Sequence, residues 1–137
     1  MRQYVIASHG NFAKGIYEGI KIILGEQKNV TLINAYVDSN DLGKLVKDAL
    51  NNFNQDDDII VCTDLFGGSV NNEFMKYMDT NNYYLITNVN LPLLLQLFLS
   101  PEEDTEKMIQ ETLSNNETVP LFCNPLFKKS SIEAEDF

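Results

Sequence analysis

Residues 59–63, Ile-Ile-Val-Cys-Thr, form an apolar run with no polar alternation. A strand with one buried face alternates apolar and polar side chains; an unbroken run marks a strand buried on both faces, at the centre of a parallel sheet. Parallel neighbours need crossovers, so helices must lie between the strands. The chain supplies them in order. Tyr4-Val5-Ile6-Ala7 is a second apolar run, and after it Phe12, Ile16, Ile20, Ile23 and Leu24 recur at helical spacing, with Asn11 as N-cap and Gly25 as stop. Residues 30–37 read as a strand and 41–53 as a helix with Leu42, Leu45, Val46, Ala49, Leu50 and Phe53 on its apolar side. Asp56-Asp57-Asp58 reads as a solvated turn. Helix 69–78, strand 83–87, an apolar helix through Leu99 with Asn90 as N-cap and Pro92 in its first turn, and a last helix over 102–113 follow. Residues 119–123 read as a short antiparallel edge strand, where Pro120 is tolerated.

This alternation predicts an α/β fold: a doubly wound, mainly parallel sheet of order 2-1-3-4 with right-handed crossovers. At 137 residues the chain is expected to form one domain over 1–127, followed by a polar, frayed tail over 128–137. The net charge of −10 and pI near 4.4 argue against a nucleic-acid or anionic-membrane surface. Cys62 and Cys123 form no C-x-x-C and read as reduced thiols, and no apolar stretch is long enough to span a bilayer, so a cytoplasmic protein is expected. No metal and no cofactor are called for.

The order of elements also implies a site. In a 2-1-3-4 sheet the first and third strands are neighbours, and the loops at their C-terminal ends diverge at the switch point. His9, the only histidine, ends the first strand; Asp64 ends the third. A carboxylate beside an imidazole accepts from one ring nitrogen, fixes the tautomer and leaves the other nitrogen nucleophilic. Gly67, Gly68 and Ser69 open the following helix with backbone N–H groups and a hydroxyl able to hold a phosphoryl group. Each feature alone is common in ordinary loops; their joint placement marks His9 and Asp64 as catalytic candidates for phosphoryl transfer to histidine. There is no G-x-S-x-G, G-x-x-x-x-G-K-[ST] or G-x-G-x-x-G, which counts against a serine hydrolase, a nucleotide hydrolase and a dinucleotide enzyme.

Ile6-Ala7-Ser8-His9-Gly10, Leu24-Gly25-Glu26, Asp64-Leu65-Phe66-Gly67-Gly68-Ser69 and Val89-Asn90-Leu91-Pro92 together resemble the EIIA component of the mannose family of the bacterial phosphoenolpyruvate-dependent sugar phosphotransferase system. The resemblance extends through about Leu113. It departs at Val70, where a proline commonly stands, and at Asn88 and Leu93, in place of a common glycine and methionine.

The resemblance implies that His9 takes a phosphoryl group from phospho-HPr through Nε2 and passes it to a cognate EIIB. It further implies that Asp64 orients the ring from Nδ1, and that Gly68 N–H and Ser69 contact the phosphoryl group. Ser8, Gly10, Phe66 and Asn90 would form the rim. A homodimer exchanging the strand at 119–123 is implied as well, and contact with the membrane only through EIIC and EIID components. Three other readings share these residues: a phosphoryl-carrier module of a dihydroxyacetone kinase system, a regulatory module read through His9 phosphorylation, and a small-anion binding domain without covalent chemistry.

Overall fold

The computed structural model describes residues 1–127; the tail expected at 128–137 lies outside the described residues. The elements run β1 (Arg2–His9), α1 (Phe12–Leu24), β2 (Val30–Ala35), α2 (Leu42–Asn51), β3 (Asp58–Thr63), α3 (Ser69–Met75), β4 (Tyr83–Ile86), α4 (Leu91–Leu99) and α5 (Thr105–Leu113), then a 3-10 turn at Asn116–Thr118. The four strands form one parallel sheet of order β2-β1-β3-β4.

The strand pleat sorts the core into two layers. Tyr4, Ile6, Ile60, Cys62 and Ile86 face one side and pack on Ala13, Tyr17 and Ile20 of α1, Leu93, Leu94 and Leu97 of α4, and Met108 and Ile109 of α5. Val5, Ala7, Ile33, Ile59 and Val61 face the other and pack on Val46 of α2 and on Val70 and Phe74 of α3. Helices on both faces explain why β1 and β3 carry unbroken apolar runs. The register pairs His9 with Ala35 across β1 and β2, and Ala7 with Thr63 across β1 and β3, so β1 and β3 release their loops side by side.

Four local expectations change. β2 stops at Ala35 because Tyr36 turns into the left-handed region at φ 67. The acidic run is not simply solvated. Asp57 is buried and accepts from Gln3 Nε2 at 3.3 Å and Asn54 N at 3.1 Å, while Asp58 begins β3 and accepts from Thr105 Oγ1 at 2.5 Å. α1 starts after Asn11, whose side chain makes no capping bond; the buried hydroxyl of Ser8 accepts from Ala13 N at 2.7 Å instead.

Finally, the edge strand expected at 119–123 is not formed. Asn90 Nδ2 donates to Thr118 O at 2.6 Å and Asn115 Oδ1 accepts from Glu117 N at 2.9 Å, which curls the chain just before this segment. Pro120 brings no N–H, and residues 123–127 form a helical turn. All the strand pairing in the sheet is parallel.

Candidate active site at the ends of β1 and β3

β1 runs buried to Ser8 and then surfaces, leaving the His9 side chain 41% exposed beside an Asp64 carboxylate that is only 12% exposed. Asp64 Oδ2 accepts twice from the same residue, from His9 N at 2.8 Å and from the ring at Nδ1, 2.7 Å away. Its other oxygen accepts from Leu65 N at 3.0 Å. Partial burial acts to raise this carboxyl, but the bonds from His9 and Leu65 and the charge of His9 outweigh it and hold Asp64 below its ordinary value.

The opposite ring nitrogen, Nε2, lies 3.2 Å from Ser69 Oγ at the start of α3. An ionised carboxylate only accepts, so Nδ1 carries the proton of the neutral ring and Nε2 presents a lone pair to the serine. That nitrogen is the one left able to react.

The loop between β3 and α3 is shaped for close approach. Gly67 sits at φ 80, a conformation that side chains resist. Gly68 has an ordinary φ of −75, yet a Cβ there would stand 3.1 Å from His9 Cε1 and 3.3 Å from Leu65 Cγ. Glycine at 68 thus leaves room for the imidazole, and a methyl there would push the ring or Leu65 aside by a few tenths of an ångström. Phe66, 70% exposed, forms part of the rim, and its N–H donates to Asn88 Oδ1 at 3.2 Å. Below the loop, Thr63 Oγ1 lies 2.7 Å from Asn71 Oδ1 and 2.9 Å from Thr87 Oγ1, a buried brace joining the end of β3 to α3 and to the end of β4.

A family model, EIIA-man, described as PTS system fructose IIA component, matches residues 3–114. The chain belongs to this family. Among solved structures, a protein from Klebsiella pneumoniae described as a phosphoenolpyruvate-dependent sugar phosphotransferase system permease is 39% identical. It superposes with a TM-score of 0.87 over 92% of this chain and 93% of that one. A phosphotransferase system EIIA component from Streptococcus agalactiae is 27% identical, TM-score 0.71, over 83% and 91%. A IIA protein associated with a fucose utilization operon in Streptococcus pneumoniae is 26% identical, TM-score 0.69, over 82% and 89%. The chain is thus an EIIA component of a sugar phosphotransferase system, of the mannose family. No helix among the described residues is long and apolar enough to cross a membrane.

In this EIIA chain the expected residues divide. His9, Asp64, Gly68 and Ser69 converge, with Gly67 and Phe66 in the loop that joins them. Gly10, at φ 60, turns the chain out of β1 while its N–H donates to Ala35 O at 2.9 Å. Ser8 and Asn90, expected on the rim, serve the helices instead. Ser8 is buried under the start of α1, and Asn90 caps α4 by accepting from Leu93 N at 2.9 Å. One site residue escaped the sequence reading. The Tyr36 hydroxyl lies 2.7 Å from Ser69 Oγ, and its ring stands 5.8 Å from the His9 ring. Tyr36 reads as an ordinary strand residue in sequence, and no local signal announces the turn that aims it.

Proposed function

We propose that this EIIA component is a phosphocarrier: His9 accepts a phosphoryl group from phospho-HPr at Nε2 and hands it to a cognate EIIB during sugar uptake. The single observation that carries this reading is the run Asp64, His9, Ser69, with contacts of 2.7 Å at Nδ1 and 3.2 Å at Nε2, which ties one ring nitrogen to the carboxylate and turns the other, on a side chain 41% exposed, to the serine hydroxyl.

Attack by neutral Nε2 on phosphorus breaks the donor's N–P bond, and the donor nitrogen leaves with that electron pair. His9 keeps its Nδ1 proton, so the product ring is a cation, and Asp64 is the counter-charge against which it forms. Backbone N–H groups at the start of α3 lack intrahelical acceptors and, with Ser69, face the phosphoryl oxygens. Donor and acceptor are both imidazoles of similar leaving ability, so return transfer to EIIB uses the same contacts.

The protein works in the cytoplasm and as a homodimer, meeting the membrane only through the EIIC and EIID components that choose the sugar. Val119, Leu121, Phe122 and Phe127, all more than half exposed in the single chain, support a partner copy over the C-terminal segment.

Incubation with phosphoenolpyruvate, enzyme I and HPr should add one acid-labile phosphoryl group by intact mass, absent in His9→Ala, and EIIB should discharge it. An uncharged wild type beside fully charged HPr would overturn the reading. A finer test lies at Gly68. Gly68→Ala should slow charging by about 10-fold, because its methyl displaces the imidazole, while leaving the melting temperature nearly unchanged. Wild-type rates in that variant would mean that the ring is not held where transfer needs it.

A further inference from the structure

We propose that Tyr36 is a positioning residue for phosphoryl transfer that acts through Ser69, an assignment that rests on the phosphocarrier reading above. Nδ1 of His9 donates to Asp64 Oδ2 at 2.7 Å, so Nε2 of the neutral ring is an acceptor. Ser69 Oγ, 3.2 Å from Nε2, has a single hydrogen and directs it there. The serine oxygen then faces Tyr36 with lone pairs only, and the phenol O–H, 2.7 Å away, is the donor. Tyr36 therefore donates to Ser69, Ser69 to His9, and His9 to Asp64. One proton arrangement satisfies all four groups.

A serine hydroxyl without such a partner rotates among staggered positions. The phenol holds Oγ so that its hydrogen is aimed at the reacting nitrogen. As Nε2 bonds to phosphorus, the lone pair that Ser69 had addressed is consumed, and its hydrogen turns to a phosphoryl oxygen while Tyr36 still donates to Oγ. The electron pair of the breaking bond leaves with the donor imidazole, and no proton enters or leaves the site.

The backbone at Tyr36 supports a role beyond packing. Tyr36 sits at φ 67, a conformation an aromatic residue rarely adopts, and the residue remains 49% exposed. Core burial does not account for that placement. The turn that imposes it is tied down on both sides: Tyr36 N donates to Ser39 O at 3.2 Å, and Asn34 N donates to Asp38 Oδ2 at 3.0 Å. Strain of this kind persists where a site over-determines it, and here it carries the phenol from the end of β2 across the end of β1 to the start of α3.

A double-mutant cycle on the full chain tests the assignment. Single-turnover charging from phospho-HPr is measured for wild type, Tyr36→Phe, Ser69→Ala and the double variant. Tyr36→Phe should be about 3- to 10-fold slower, with melting unchanged, and should cause no further loss in the Ser69→Ala background. Losses that multiply, or a wild-type rate for Tyr36→Phe, would overturn the proposal. A second readout needs no transfer. The ¹⁵N resonance of His9 Nε2 in the unphosphorylated protein should move on Tyr36→Phe in the direction that Ser69→Ala moves it. A resonance that stays in place in Tyr36→Phe overturns the assignment of Tyr36. Failure of the wild type to charge while that shift is seen overturns the phosphocarrier reading alone.

Discussion

Asp64→Asn is expected to leave the fold standing and to slow phosphoryl uptake on His9 by on the order of 10²–10⁴-fold. The carboxylate now accepts from His9 N, His9 Nδ1 and Leu65 N using both oxygens. An amide has one acceptor oxygen, so it cannot satisfy all three donors. If its N–H₂ turns toward the ring, Nδ1 must become the acceptor and the proton moves to Nε2, which closes the nucleophile. If its oxygen faces the ring, the tautomer survives but the phosphorylated imidazolium forms without a counter-charge. Both arrangements lose rate for different reasons, and the ring ¹⁵N shifts tell which one is present. Uptake within a few-fold of wild type would show that Asp64 neither selects the tautomer nor stabilises the product cation.

The same carboxylate links stability to acid. Its folded value lies below the ordinary carboxylate value of about 3.9, so its contribution is complete above that value and is lost as pH falls through the lowered folded one. Urea midpoints for the Asn variant should therefore fall less steeply below about pH 4 than those of wild type.

Most of this architecture was legible because burial writes itself into sequence. Ile59 to Cys62 and Tyr4 to Ala7 are apolar at every position because helices cover both faces of β1 and β3, and the strand order 2-1-3-4 that this alternation implies places His9 and Asp64 on adjacent strand ends. What stayed hidden depends on single bonds that periodicity does not encode. Ser8 stands beside His9 in sequence, yet strand alternation turns it inward, where its hydroxyl accepts from Ala13 N at the start of α1. Asn90 reads in sequence both as the N-cap of α4 and as a rim residue; its bonds to Leu93 N and Thr118 O bear out the cap and tie the side chain away from the rim. Tyr36 lies in a stretch with every mark of a strand, and the left-handed turn that brings it to Ser69 has no glycine to signal it. The segment at 119–123 has strand composition but no strand, because composition does not supply an edge to pair with.

Phe74→Ala is expected to cost about 3–5 kcal/mol, a fall in melting temperature of roughly 10–20 °C, and to slow transfer beyond what lost stability explains. Phe74 is fully buried, the largest such side chain among the described residues, and packs with Val5, Val61 and Val70 between α3 and the sheet. α3 has only seven residues, too few to hold together on hydrogen bonding alone, so its position depends on what it buries. Tyr83 OH donates to Phe74 O at 2.7 Å and Asn71 is braced on Thr63, yet both bonds presuppose a docked helix. Ser69 and the N–H groups proposed to meet the phosphoryl group ride on the first turn of that helix. Leu94→Ala supplies the contrast. Leu94 is equally buried but lies under α4 on the opposite face, where a cavity costs about 2–5 kcal/mol without touching α3. Measured well below both melting temperatures, Leu94→Ala should charge at nearly the wild-type rate and Phe74→Ala should not. Equal rates would show that the Ser69 geometry survives a loosened α3, and would leave the loop residues 64–68 to carry the positioning of the site by themselves.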